Sequence, residues 1–189
     1  LVQGRYLDIH AQKDTATNWG RFVINLQAQS PLLVQIPAPQ EAWGTVDAGT
    51  RMFTAFKARA LAIAGPQQGT VGRETDVFTG QGSLFFAFYQ VMGGSGTLQV
   101  RGYTPARIRR LTGRRVESSQ AASDLSSRMY IHSQIPAGLD LSRIKSFLQP
   151  FDLIWGRSKE TNIIRRRSQS GFAELILSRA DRRNRGFSQ

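Results

Sequence analysis

One stretch constrains the fold of this chain more than any other. Gly82–Met92 reads GSLFFAFYQVM and is apolar at almost every position. Gly93-Gly94-Ser95-Gly96 follows at once, and then the alternating run Thr97-Leu98-Gln99-Val100-Arg101. Read with a period of two, Leu84, Phe86 and Phe88 share one face, and Phe85, Ala87, Tyr89 and Val91 share the other. A half-buried strand hides one face only, so a strand apolar on both must be covered on both. In the second run Leu98 and Val100 point inward, while Thr97, Gln99, Arg101 and Tyr103 point outward. Two such runs around a glycine-rich turn predict paired antiparallel strands.

Further strands are expected at Arg5–His10, Gly20–Leu26, Leu32–Ile36, Arg128–Gln134, Phe151–Trp155 and Gly171–Ser178, giving about eight in all. Thr50–Ala64 differs. Met52, Phe53, Phe56, Ala60, Leu61 and Ile63 recur at helical spacing, Thr50 can cap the start, and Gly65-Pro66 closes the run. A second helix is expected over Leu139–Phe147. Many short strands punctuated by Gly and Pro argue for a sandwich or barrel, and no repeat or linker divides residues 1–189. The expected fold is therefore an all-β, eight-stranded antiparallel sandwich with one or two short helices, in one domain. Its inner positions are Leu84, Phe86, Phe88, Leu98, Val100, Leu175 and Leu177.

Motifs for catalysis are missing. The chain has no cysteine, which removes thiolate nucleophiles, disulfides and cysteine metal sites together, and only His10 and His132 offer imidazole. The Gly93–Gly96 run lacks the Lys-Ser/Thr pair of a phosphate-binding loop and reads as a turn. Asp14-Thr15-Ala16 resembles the triplet of retroviral-type aspartic proteases, but Gln12-Lys13 stands where an apolar strand should lead in. No serine lies in a Gly-x-Ser-x-Gly elbow. The expectation is no enzyme, no metal and no cofactor. A small hydrolase on a sandwich would need a cleft of convergent polar groups, which these residues do not assemble. No apolar run is long enough to span a bilayer, and no membrane partner is expected. The chain opens on Leu1, which reads as processing or a missing beginning, and no leader pattern is visible.

The charge does point to a partner. Among the 189 residues, 25 are Lys or Arg and 13 are Asp or Glu, a formal net charge of +12. Nearly all of the cations are arginine, which suits phosphate and carboxylate forks and is also enriched at protein interfaces. They cluster in three places: Arg107, Arg109, Arg110, Arg114 and Arg115; Arg165, Arg166 and Arg167; and Arg179, Arg182, Arg183 and Arg185. Almost no aromatic residues are interleaved, so phosphate neutralisation or intersubunit pairing fits better than base reading. A merely solvated basic face is the plain alternative.

Several short motifs, in order, resemble the jelly-roll coat proteins of picorna-like positive-strand RNA viruses, including the insect-infecting relatives. Phe78, then Gly82-Ser83-Leu84, then Gly96-Thr97-Leu98-Gln99-Val100-Arg101-Gly102-Tyr103-Thr104-Pro105 resemble the middle strands of such a protein. Leu1-Val2-Gln3-Gly4-Arg5-Tyr6 is similar to the lead-in to its first strand, and the helix at Thr50–Ala64 falls where those proteins carry one. Phe172–Arg179 with Ala180–Phe187 resembles the last strand and tail, although arginines replace the acidic residue and phenylalanine common there. Gln189 matches a common viral cleavage residue. The resemblance implies an eight-stranded jelly roll. It also implies assembly with other coat subunits into an icosahedral shell around genomic RNA, and location in the virion and, during assembly, the host cytoplasm. Arg165–Arg167 would then lie near a symmetry axis. The alternative is a non-viral basic RNA-binding or ribosome-associated protein.

Overall fold

Ser83 decides the conformation of the apolar stretch. Its side chain accepts a hydrogen bond from the Phe86 N–H at 3.1 Å, an N-cap that starts a helix at Leu84. The computed structural model describes residues 2–10, 20–40, 43–65, 77–78, 80–104, 108, 125–148, 150–156, 158 and 162–183. In it Leu84–Met92 is helix α2 and Gly93 closes its last turn. Phe85, Phe86, Tyr89 and Met92 are buried, whereas Leu84 is 43% and Val91 76% exposed. The run is apolar on both strand faces because it is a helix with a wide buried side. Glycines 93–96 thus form a helix-to-strand turn and not a hairpin. Gly96 sits at φ +142°, where a Cβ would come within 2.9 Å of the Pro136 backbone.

The remaining elements in chain order are β1 (Val2–Gln3), β2 (Tyr6–His10), β3 (Gly20–Asn25), β4 (Ser30–Ile36), α1 (Thr45–Ala55) and β5 (Ala58–Ala64) before α2. After it come β6 (Thr97–Gly102), β7 (Ser127–His132), α3 (Leu141–Phe147), β8 (Phe151–Trp155), α4 (Ile163–Arg167), β9 (Phe172–Leu177) and α5 (Arg179–Arg183). The strands form one nine-stranded sheet in the order β1-β2-β3-β5-β4-β6-β9-β7-β8. Its centre is parallel: β5 with β4, β4 with β6, and β6 with β9. The flanks β1–β2, β2–β3, β3–β5 and β7–β9 are antiparallel, and the outer pair β7–β8 is parallel again.

This overturns the antiparallel jelly roll. Parallel neighbours need crossover connections, and here helices supply them: β4–α1–β5 and β5–α2–β6. The predicted helix Thr50–Ala64 divides accordingly. α1 begins earlier and ends at Ala55, Lys57 takes a positive φ of 48°, and Ala58-Arg59-Ala60-Leu61-Ala62-Ile63-Ala64 continues as β5. In that run small and large residues alternate, a period of two that the helical spacing of Met52, Phe53 and Phe56 had masked. α3 lies within the expected Leu139–Phe147, capped by Asp140, whose carboxylate accepts from the Ser142 and Arg143 N–H groups at 2.9 and 3.1 Å.

Helices cover both faces. On one, Met52 and Phe53 of α1, Phe56 at its C-cap and Ile144 of α3 pack on Leu32, Val34 and Ile36 of β4, Leu98 and Val100 of β6, and Leu175 and Leu177 of β9. On the other, Phe85, Phe86 and Tyr89 of α2 and Ile164 of α4 pack on Phe22, Leu33, Ala60, Ala62 and Phe172. The Leu98/Val100 alternation is real, but the opposite side of β6 is buried as well. Of the predicted inner residues, Phe86, Leu98, Val100, Leu175 and Leu177 are buried. Leu84 is exposed and Phe88 only partly covered.

Candidate functional site

On the α2 and α4 face, polar residues cross the centre of the sheet from β4 to β9. Gln35, Gln99 and Glu174 are fully buried and Arg101 nearly so. A chain of amides runs inward from α4. Asn162 caps that helix, its carbonyl oxygen accepting from the Arg165 N–H at 3.2 Å. Its amide nitrogen must then donate, and does so to Gln99 Oε1 at 2.7 Å. Gln99 in turn donates Nε2 to Gln35 Oε1 at 2.9 Å. The helix cap thus sets the orientation of all three amides and leaves the Gln35 Nε2 donor at the end of the chain without a hydrogen-bond partner.

A charged chain runs beside it. Arg101 donates to Glu174 Oε1 at 2.5 Å. The other carboxylate oxygen accepts from the Ser158 hydroxyl at 2.6 Å. That hydroxyl accepts from Arg165 at 2.8 Å, and the same guanidinium nitrogen reaches the Ser158 carbonyl at 3.0 Å. The Arg101 guanidinium lies 4.2 Å from the Phe78 ring centroid, a cation–π contact that closes it from above. With side-chain exposures of 4% and 0%, Arg101 and Glu174 form an ion pair sealed from water.

The outer side of α4 is different. Arg165 is turned inward, but Arg166 and Arg167 are exposed and form no ion pair among the described residues. Arg167 stands at a cleft of about 510 Å³ between α2 and the α4–β9 turn, with Gln81, Gln90, Gln169 and Ser170 around it and Tyr89 in its floor. Burial pushes the Tyr89 phenol above its ordinary range, and a hydrogen bond with Ser168 partly offsets this.

A third cluster joins β7, β9 and α5. Ser178 donates to Asp181 Oδ2 at 2.7 Å and accepts from the Asp181 N–H at 3.0 Å, and Ser127 also donates to that carboxylate. The Ser178 N–H bonds Ser127 Oγ at 2.8 Å. Ser178 thus caps α5 through the Asp181 N–H, and both serines are used structurally. Neither of the chain's two histidines belongs to the cluster.

Of the predicted arginines, Arg107, Arg109, Arg110, Arg114 and Arg115 lie outside the described residues, as do Arg185 and the Arg183 side chain. Arg182 is held at home, donating to the Trp43 and Ser178 carbonyls at 2.8 and 3.3 Å. The structure therefore separates the second cluster into one internal arginine, Arg165, and two outward ones. Sequence reasoning missed Gln35, Gln99, Arg101, Glu174 and Asn162. A signal was present, since Glu174 is the sole charge in Phe172–Leu177, a strand otherwise wholly apolar.

The backbone is similar to the crystal structure of a putative metallopeptidase from Shewanella denitrificans OS217. The TM-score is 0.52 at 13% sequence identity, over 94% of this chain and 78% of that one. At this identity the likeness concerns the fold alone, which is a mixed sheet between helical layers. No family model matches the sequence. No curated protein matches it either.

Proposed function

We propose that this chain is a basic, non-catalytic domain that binds a polyanion, with RNA the one its charge suits best. The observation that carries the reading is that Arg166 and Arg167 are exposed, Arg167 at a polar cleft, without a carboxylate partner among the described residues. The described acids all have partners elsewhere. Asp8 pairs with Arg21, Asp47 with Arg51, Asp152 with Arg128 and Glu174 with Arg101. Asp140 caps α3, and the Asp181 carboxylate accepts from the Ser127 and Ser178 hydroxyls. Among the described residues nothing supplies counter-charge to the outward arginines, and a net charge of +12 favours a polyanionic partner.

A metallopeptidase role has less support. A catalytic zinc needs three protein ligands and an open position, and no three of the described His, Asp and Glu residues come together to hold a metal. The described residues do not fit that group. The coat-protein role stood on a jelly roll, and the RNA-binding reading does not need one.

The test is fluorescence anisotropy of the chain with labelled single-stranded RNA across a salt series. Binding should weaken steeply with salt. Replacing Arg166 and Arg167 by Glu should flatten the slope of log affinity against log salt by about 1.4, the value for two phosphate contacts on a single strand. Salt-independent binding, or no binding, would overturn the reading. Closed shells of uniform diameter under electron microscopy would return the coat-protein role instead.

A further inference from the structure

We infer that the cleft between α2 and the α4–β9 turn takes in one unpaired nucleotide of a single-stranded RNA, with the base inside and its phosphate on Arg167. This rests on the polyanion reading and names the form of RNA that the site suits. The cleft holds about 510 Å³, within the range of small-ligand sites. A base enters a pocket of that size only when it is out of the stack.

The lining has the chemistry of a nucleotide site. Gln81, Gln90 and Gln169 bring three side-chain amides to it, each with donors and an acceptor, and Ser170 adds a hydroxyl. Base edges mix donors and acceptors in the same way. All three glutamines are exposed, so their amides are open to a ligand. Among the described residues that line the cleft, Arg167 is the only charge and no acid stands there to repel a phosphate. Phe86 and Tyr89 supply an aromatic floor, the kind of surface on which unpaired bases rest. The arginine clusters carry almost no aromatic residues along the sequence. The fold brings these two to Arg167 from a different helix.

The two walls of the cleft are tied together. The Tyr89 phenol hydrogen-bonds with Ser168, whose hydroxyl donates to the Gly171 carbonyl at 3.2 Å. That joins α2 to the turn carrying Gln169 and Ser170. Gly93 lets the phenol ring lie where it does, because a Cβ at 93 would collide with it. Gly94 also lines the cleft, and a Cβ there meets nothing within 4 Å. A side chain at 94 has open space to fill, and the packing beneath need not move.

The test compares two labelled strands of equal length by fluorescence anisotropy with the full chain. One is RNA, and the other is an abasic sugar-phosphate strand with the same phosphates. The RNA should bind about tenfold tighter, an effect of the size that one stacked base gives. Gly94→Phe, checked for folding by its melting temperature, should lower RNA affinity to the level of the abasic strand. Its salt slope should stay as in wild type, since Arg166 and Arg167 remain in place. The double variant Gln90→Ala/Gln169→Ala, at exposed positions, should lose the same preference without filling the cleft. Equal affinity of the wild type for both strands, or an undiminished preference in these variants, would overturn the inference and leave the polyanion reading standing. Absence of salt-sensitive binding to either strand would instead remove that reading itself. A nucleoside monophosphate that binds as tightly as the RNA would make a free nucleotide the ligand and overturn the strand.

Discussion

Arg101 and Glu174 show how much one buried charge depends on its partner. Removing the guanidinium alone in Arg101→Met leaves a carboxylate in a site without water, and should cost about 3–5 kcal/mol in urea denaturation. Replacing both residues with apolar ones of similar volume should cost far less, because the desolvation of each charge then disappears with it. A second ion pair, Asp8–Arg21 at 2.6 Å, lies near the surface and contributes to acid stability. Hydrogen bonds from Arg21 hold the Asp8 carboxyl below the ordinary carboxylate range, with burial opposing. A depressed folded pKa stabilises above the unfolded value and is lost as pH falls through the folded one. Asp8→Asn should therefore reduce stability at neutral pH and flatten the acid limb of the stability–pH curve below about pH 4. Melting curves across that range check it.

At the scale of elements, capping decides what periodicity leaves open. Gly82–Met92 fits a strand buried on both faces and a largely buried helix equally well, because nearly every position is apolar. Ser83 breaks the tie by meeting the Phe86 N–H, and Ser83→Ala should cost about 1 kcal/mol in denaturant unfolding. The strands Gly20–Asn25 and Phe151–Trp155 were legible because local signals agreed, alternation in the first and a β-rich run in the second, and the helix Leu141–Phe147 falls inside the stretch expected for it. Thr50–Ala64 was not legible, since a helix and a strand abut there with only Phe56 and Lys57 between them. Gln99 and Arg101 were read as outward because alternation tells which residues share a face, and not whether a helix will lie on it.

At the scale of the whole molecule, the parallel centre of the sheet is the most protected part. β4, β6 and β9 are flanked by strands on both sides and covered by helices on both faces. Their amides should exchange slowest with deuterium, and those of β1 and β8 at the sheet's ends fastest, by exchange mass spectrometry. Equal rates across the sheet would contradict this order. The outward arginines of α4 matter at this scale too, because the amide chain through Asn162, Gln99 and Gln35 holds their helix against β6 and β4. What the sequence by itself determined is the chemistry: strong positive charge carried by arginine, no cysteine, two histidines, and the positions of most strands. Those follow from composition and from local alternation, which need no knowledge of neighbours. Only the tertiary structure decided that the strands run parallel at the centre, that helices lie on both faces, and that Arg101 and Glu174 meet. Strand direction and face coverage depend on contacts between residues far apart in the chain, and no local pattern encodes them.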